Sequence, residues 1–244
     1  MLISLYICIG TWSRYEKGLL VLVVSLLVPS MTFAINDLDT GLKAYYQKNY
    51  KVAFDSFEKS AKMGNVQAIH YLASLYFQGL GVPKNVEKAF NLFNQSAQKG
   101  YAPSLANLSI MYYEGIGVQK NPEKGFEYTK KAANAGDLQS QFNLGNAFRK
   151  GNFVKQDYTK AAFWYEKSAK AGYSFSQNEY GLLFAQGLGV EQDYYKAYAW
   201  ISVSAETGND QAIKNLKNFT QIFNIQEMKK AKELADQYKT LYLK

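Results

Sequence analysis

The side chains that ordinarily carry catalysis are scarce in this 244-residue chain, which has one His, His70, and one Cys, Cys8. A nucleophile needs a base beside it, so a single His leaves little room for a catalytic triad. A single Cys allows neither an internal disulfide nor a Cys-rich zinc site. One short motif has chemical spacing: Ser56-Phe57-Glu58-Lys59 matches the Ser-x-x-Lys of serine enzymes that react with penicillins. The Ser-Asp-Asn and Lys-Thr-Gly partners of that machinery occur nowhere, and Phe57 falls on the apolar phase of a helix. The carboxylates are dispersed over helix-cap and solvent positions, not gathered as metal ligands. Lys and Arg exceed Asp and Glu by 28 to 20, a net charge of +8. Nucleic-acid binding needs that excess concentrated in a stripe, whereas segment 173–208 is net acidic. No catalytic group, metal or cofactor is expected, and nucleic acid is not an expected partner.

The first 34 residues read differently from the rest. Arg14 and Lys17 precede an apolar run from Gly18 to Pro29, and small residues Thr32 and Ala34 follow. That order of charge, apolar core and small residues predicts a secretory signal peptide cleaved after Ala34. The run is too short to span about 30 Å of hydrocarbon comfortably, so no stable membrane insertion is expected after cleavage. An uncleaved signal anchor is the alternative. Export to the periplasm is the expectation, with secretion onward as a second possibility. Cleavage would remove Cys8 and leave no thiol.

The elements that position everything else announce themselves by repetition. Gly64, Gly100, Gly136, Gly172 and Gly208 recur every 36 residues, as do Gly79, Gly115, Gly151 and Gly187. Gly81, Gly117 and Gly189 form a third column, which Phe153 interrupts. Apolar columns keep the same phase, among them Leu72, Leu108 and Leu144, and Tyr76, Tyr112, Phe148 and Phe184. Asn85, Asn121, Asp157 and Asp193 are N-cap types, each followed four residues later by Ala89, Gly125, Ala161 or Ala197. Each unit therefore predicts two amphipathic helices. Helix A runs over about 66–78 in the first unit and ends on a left-handed Gly79, and helix B starts after Asn85 and ends near Gly100. One such pair cannot bury its apolar face alone, so the pairs must stack. The expected fold is all-α: a right-handed α/α superhelical solenoid. Four units occupy 65–100, 101–136, 137–172 and 173–208. Residues 35–64 read as an N-terminal capping pair of helices, and 209–244 as C-terminal capping helices.

Leu72, Tyr76, Gly79-Leu80-Gly81-Val82, Lys88-Ala89, Ala97 and Gly100, with their counterparts in the next three units, resemble the Sel1-like repeat family, relatives of tetratricopeptide repeats. Gly125 in place of Ala and Phe153 in place of Gly depart from the pattern. The resemblance implies a non-enzymatic scaffold that binds protein or peptide through the concave face lined by the A helices. By analogy with tetratricopeptide geometry, the candidates are Gln67, His70, Phe77 and Gln78 in the first unit. The second adds Ile110, Tyr113 and Glu114, the third Phe142, Asn146, Arg149 and Lys150, and the fourth Phe175, Asn178 and Leu182. Amides suit an extended peptide backbone, and aromatic rings suit apolar side chains. Some cysteine-rich exported members of the family are linked to penicillin binding or β-lactamase activity, which keeps a cell-wall-related binder or enzyme as an alternative. A host-directed secreted factor is another.

Overall fold

A computed structural model of the chain describes residues 37–219 and 221–243. The expected signal segment and Cys8 lie outside them. Every regular element among the described residues is an α-helix: α1 (residues 37–46), α2 (Tyr50–Lys62), α3 (Val66–Gln78), α4 (Val86–Gln98), α5 (Ala102–Glu114), α6 (Pro122–Asn134), α7 (Leu138–Lys150), α8 (Tyr158–Lys170), α9 (Ser174–Gln186), α10 (Tyr194–Glu206), α11 (Asp210–Phe219) and α12 (Ile225–Tyr242). Two compact units divide them, one ending at Ala89 and the other starting at Phe90. None of these helices is long and apolar enough to cross a membrane.

Local chemistry explains where the helices stop. α3, α5, α7 and α9 each end on a glycine in the left-handed region, with φ from 66° to 76°. The next amide closes a six-residue turn, as from Leu188 N to Leu183 O at 3.1 Å. The loop is then clipped back onto the helix it has left. Asn85, Asn121, Asp157 and Asp193 donate their amides to the carbonyls of Tyr76, Tyr112, Phe148 and Phe184 at 2.8–3.0 Å. The side chains of the same four residues accept from the third amide of the following helix at 2.8–2.9 Å. Gly189 shows why its column excludes a side chain: φ is +70°, and a Cβ would fall onto the Tyr158 carbonyl.

In the first unit α2 packs on α3, with Ala53, Phe57, Ala68, Ile69 and Leu75 buried. In the second, α5 packs on α6, α7 on α8 and α9 on α10, while α6, α8 and α10 also pack on the A helix that follows. This is α/α solenoid stacking. Small residues line the crossings. Ala132, Ser168 and Ser204 on the B helices and Ser104, Ser140 and Ser176 on the A helices are almost fully buried. The Oγ of Ser168 donates to Leu138 O at 2.9 Å and that of Ser204 to Ser174 O at 2.8 Å, so these two buried hydroxyls are satisfied, whereas Ser176 Oγ is buried without a partner among the described residues. α12 lies on α10, where Tyr242 stacks on Trp200 with ring centroids 4.7 Å apart. A reciprocal capping box at Asn224 and Glu227 starts that helix.

Candidate functional site

The expected site residues in the first unit are dispersed in character. Gln78 is exposed, and Gln67 and Phe77 are half-buried. His70 meets the edge of the Tyr71 ring at 5.5 Å, and burial lowers its pKa to about 4, so the ring is neutral near pH 7. A neutral, hemmed-in imidazole suits packing better than acid–base work. Ser56 of the Ser-x-x-Lys motif is buried in α2 while Lys59 is exposed, so the pair does not form an open nucleophile site.

In the second unit the structure brings several candidates together through a residue absent from the expected set. Tyr165 on α8 is fully buried, and its ring lies where Gly145 on α7 leaves room. The Tyr165 hydroxyl donates to Asn146 Oδ1 at 2.8 Å and accepts from Arg149 Nε at 3.2 Å. Burial raises the pKa of that phenol to about 12, so it remains a donor. Burial disfavours the Arg149 charge, but Tyr165 and Glu179, whose carboxylate lies 3.8 Å away, more than offset this and raise its pKa. With its oxygen engaged, Asn146 keeps its amide hydrogens as donors for something else.

The polar line continues along α9 and α11. Asn178 Nδ2 donates to Glu179 at 3.2 Å, and Asn215 Nδ2 donates to Asn178 Oδ1 at 2.8 Å. Asn178 was expected on an open groove but is buried, because α11 covers it and Asn215 takes its carbonyl. Leu182 is half-buried and packs against the core around Trp200. Phe142 and Phe175, 6.1 Å apart, form an aromatic patch with Tyr173, and Phe175 is exposed. Ile110, Glu114 and Lys150 are exposed and Tyr113 half-buried.

A hollow of about 270 Å³ opens between α5, α6, α7 and the loop after α7. Tyr113, Asn146 and Lys150 line it, and so do Phe126, Thr129, Asn143, Asn152 and Phe153, none of them among the expected site residues. The two departures from the repeat pattern meet here. Phe153 keeps the left-handed backbone of the glycine it replaces, at φ +63°, and stacks on Phe126 with centroids 5.1 Å apart. Gly125 lets the Tyr113 ring lie close, since a Cβ there would stand 3.0 Å from two ring carbons. The break in the glycine column was the available signal; its link to a cavity required the three-dimensional path. A second hollow of about 440 Å³ near Phe223, Ile225 and Met228 contains none of the expected residues.

The Sel1 repeat family model matches residues 66–101, 102–137, 138–173 and 174–209. The chain belongs to the Sel1 repeat family. Among solved structures, a Sel1 repeat protein from Oxalobacter formigenes is 34% identical, with a TM-score of 0.68 over 70% of this chain and 50% of that one. A protective antigen present in uropathogenic Escherichia coli strains, with an SLR fold, is 36% identical, with a TM-score of 0.67 over 79% of this chain and 41% of its own. The chain therefore spans half or less of these relatives' length. No curated protein matches it. The Sel1 assignment places the chain in a family whose repeats form protein-interaction scaffolds, and all four repeats carry the helix pairs and left-handed glycine caps described above.

Proposed function

We propose that this Sel1 repeat protein is an exported, non-catalytic scaffold that holds an extended stretch of a partner protein along α5, α7 and α9. The observation that carries this reading is the linked set Asn146–Tyr165–Arg149 beside the Phe142–Phe175 patch. Amide and guanidinium donors fixed by a buried hydroxyl suit backbone carbonyls, and the adjacent rings suit apolar side chains. The positive, apolar and small-residue order of residues 14–34 supports export. The test is in-cell crosslinking of the wild type against a Phe142→Ala/Asn146→Ala/Arg149→Ala variant shown by circular dichroism to be folded. Loss of the crosslinked partner in the variant is the expected result; equal recovery would reject this face as the binding site. Cell fractionation tests export, and recovery of the full-length chain in the cytoplasm would reject it.

A further inference from the structure

The hollow at the junction of the second and third repeats joins aromatic and polar side chains from three helices and a loop. Its wall is aromatic: Phe126 is buried, Phe153 is stacked on it yet half exposed, and Tyr113 lies 6.0 Å from Phe153. Thr129 on that wall is tied to Ser109 at 2.7 Å, which leaves its methyl group for contact. The facing stripe of α7 carries Asn143, Asn146, Ala147 and Lys150, residues three or four apart that share one side of a helix. Lys150 is exposed and has no carboxylate within ion-pair reach among the described residues. An apolar wall thus stands opposite three side chains with donors to give, one of them a cation. Backbone strain is spent on this wall, because Phe153 occupies a conformation that other repeats give to glycine.

We propose that this hollow is a specificity pocket for an internal segment of a partner protein, which places a Phe-, Tyr- or Leu-sized side chain on Phe153 and Tyr113 and a neighbouring Asp or Glu carboxylate at Lys150. The volume of about 270 Å³ admits one large side chain with the adjoining backbone. Asn143 on α7 and Asn152 in the loop flank the hollow from two elements, which suits a chain that passes through it. The inference rests on the scaffold reading above and assigns it a ligand chemistry.

Random twelve-residue peptides displayed on phage are selected on the purified chain. Enriched sequences are then synthesised with amidated C-termini and titrated by fluorescence anisotropy. Enrichment of a large apolar residue within two positions of Asp or Glu is expected. Phe153→Gly should weaken binding at least tenfold, and Lys150→Glu should transfer preference to peptides with Lys in place of the acid. Phe153→Gly restores the residue used in the sister loops, and a circular dichroism melt checks its fold. Peptide binding that survives both substitutions but is lost in Phe142→Ala/Arg149→Ala would overturn the pocket and leave the scaffold reading standing. Failure to enrich any peptide would remove the peptide-binding reading and the pocket together. Binding only by peptides with a free C-terminal carboxylate would overturn the internal-segment assignment.

Discussion

Replacing Gly145 by Ala ought to help an ordinary helix, because Ala is favoured over Gly by about 1 kcal/mol in a helix interior. Here it should do the opposite. A Cβ on Gly145 would stand 2.6 Å from Tyr165 Cε1 and 2.7 Å from Cδ1. Carbon atoms normally rest about 3.5–4.0 Å apart, so the overlap is about 1 Å. Tyr165 is fully buried, with its hydroxyl bonded to Asn146 and Arg149, so the ring cannot slide away without breaking those bonds. Overpacking costs about 1–3 kcal/mol and each lost hydrogen bond about 1 kcal/mol. Set against the gain in helix propensity, the net destabilisation is about 2 kcal/mol. Equilibrium urea unfolding followed by far-UV circular dichroism should show the midpoint falling by about 1 M, for a slope of about 2 kcal/mol/M. The second repeat supplies the control, since Thr129 there stands opposite Ser109 and tolerates its Cβ. In a Tyr165→Thr background, Gly145→Ala should therefore be neutral or stabilising. If Gly145→Ala raised the midpoint equally in both backgrounds, the ring contact would not be what demands glycine.

Other outcomes follow from single contacts. His70 has a folded pKa of about 4 against 6.5 for the free group, so its contribution is fully present above pH 6.5 and is lost as pH falls toward 4. Unfolding free energies from urea titrations at pH 7.5 and pH 5 should differ by about 1–2 kcal/mol more in the wild type than in His70→Gln. Phe153→Gly relieves a left-handed phenylalanine but loses its stack on Phe126, two effects of about 1 kcal/mol each, so its melting should stay close to wild type. Asn224→Ala removes the capping box of α12 at about 1 kcal/mol, and amide exchange in the first turn of that helix should accelerate while α7 is unaffected. Tyr242→Ala uncovers Trp200, and tryptophan emission should shift to the red; unchanged emission would reject the stacking.

The helices were legible because glycine, alanine and cap residues constrain the backbone wherever they recur. Asn121, Asp157 and Asp193 cap the helices they were expected to cap. α3 spans Val66–Gln78, as the spacing predicts. The caps of the A helices were harder to see. Asn65 and Asp137 follow Gly64 and Gly136 and look like turn residues, yet each accepts from its helix's first turn. The candidate site was only partly legible for a geometric reason. Tetratricopeptide phasing identifies the face of an A helix, but not what the next helices bring against it. It could not show α11 covering Asn178, or Tyr165 reaching from α8 through the gap at Gly145 to hold Asn146 and Arg149. Phe153 was visible as a missing glycine. That its ring would line a cavity depended on φ and on Phe126, 27 positions earlier in the chain.

Gly145 faces Tyr165, Gly181 faces Ile201, and Ser109 faces Thr129, each pair 20 residues apart and each spanning an A helix and its own B helix. This bears on how such an array can be inherited. A crossover between gene copies that fell in an A–B loop would join a serine-bearing helix to a tyrosine-bearing one and overfill the join. A crossover in the short turn after a B helix would move both halves of the lock together. For exchanges between the second and third repeats the turn after a B helix is thus the favoured point, and there the helix pair, not the single helix, is the heritable part.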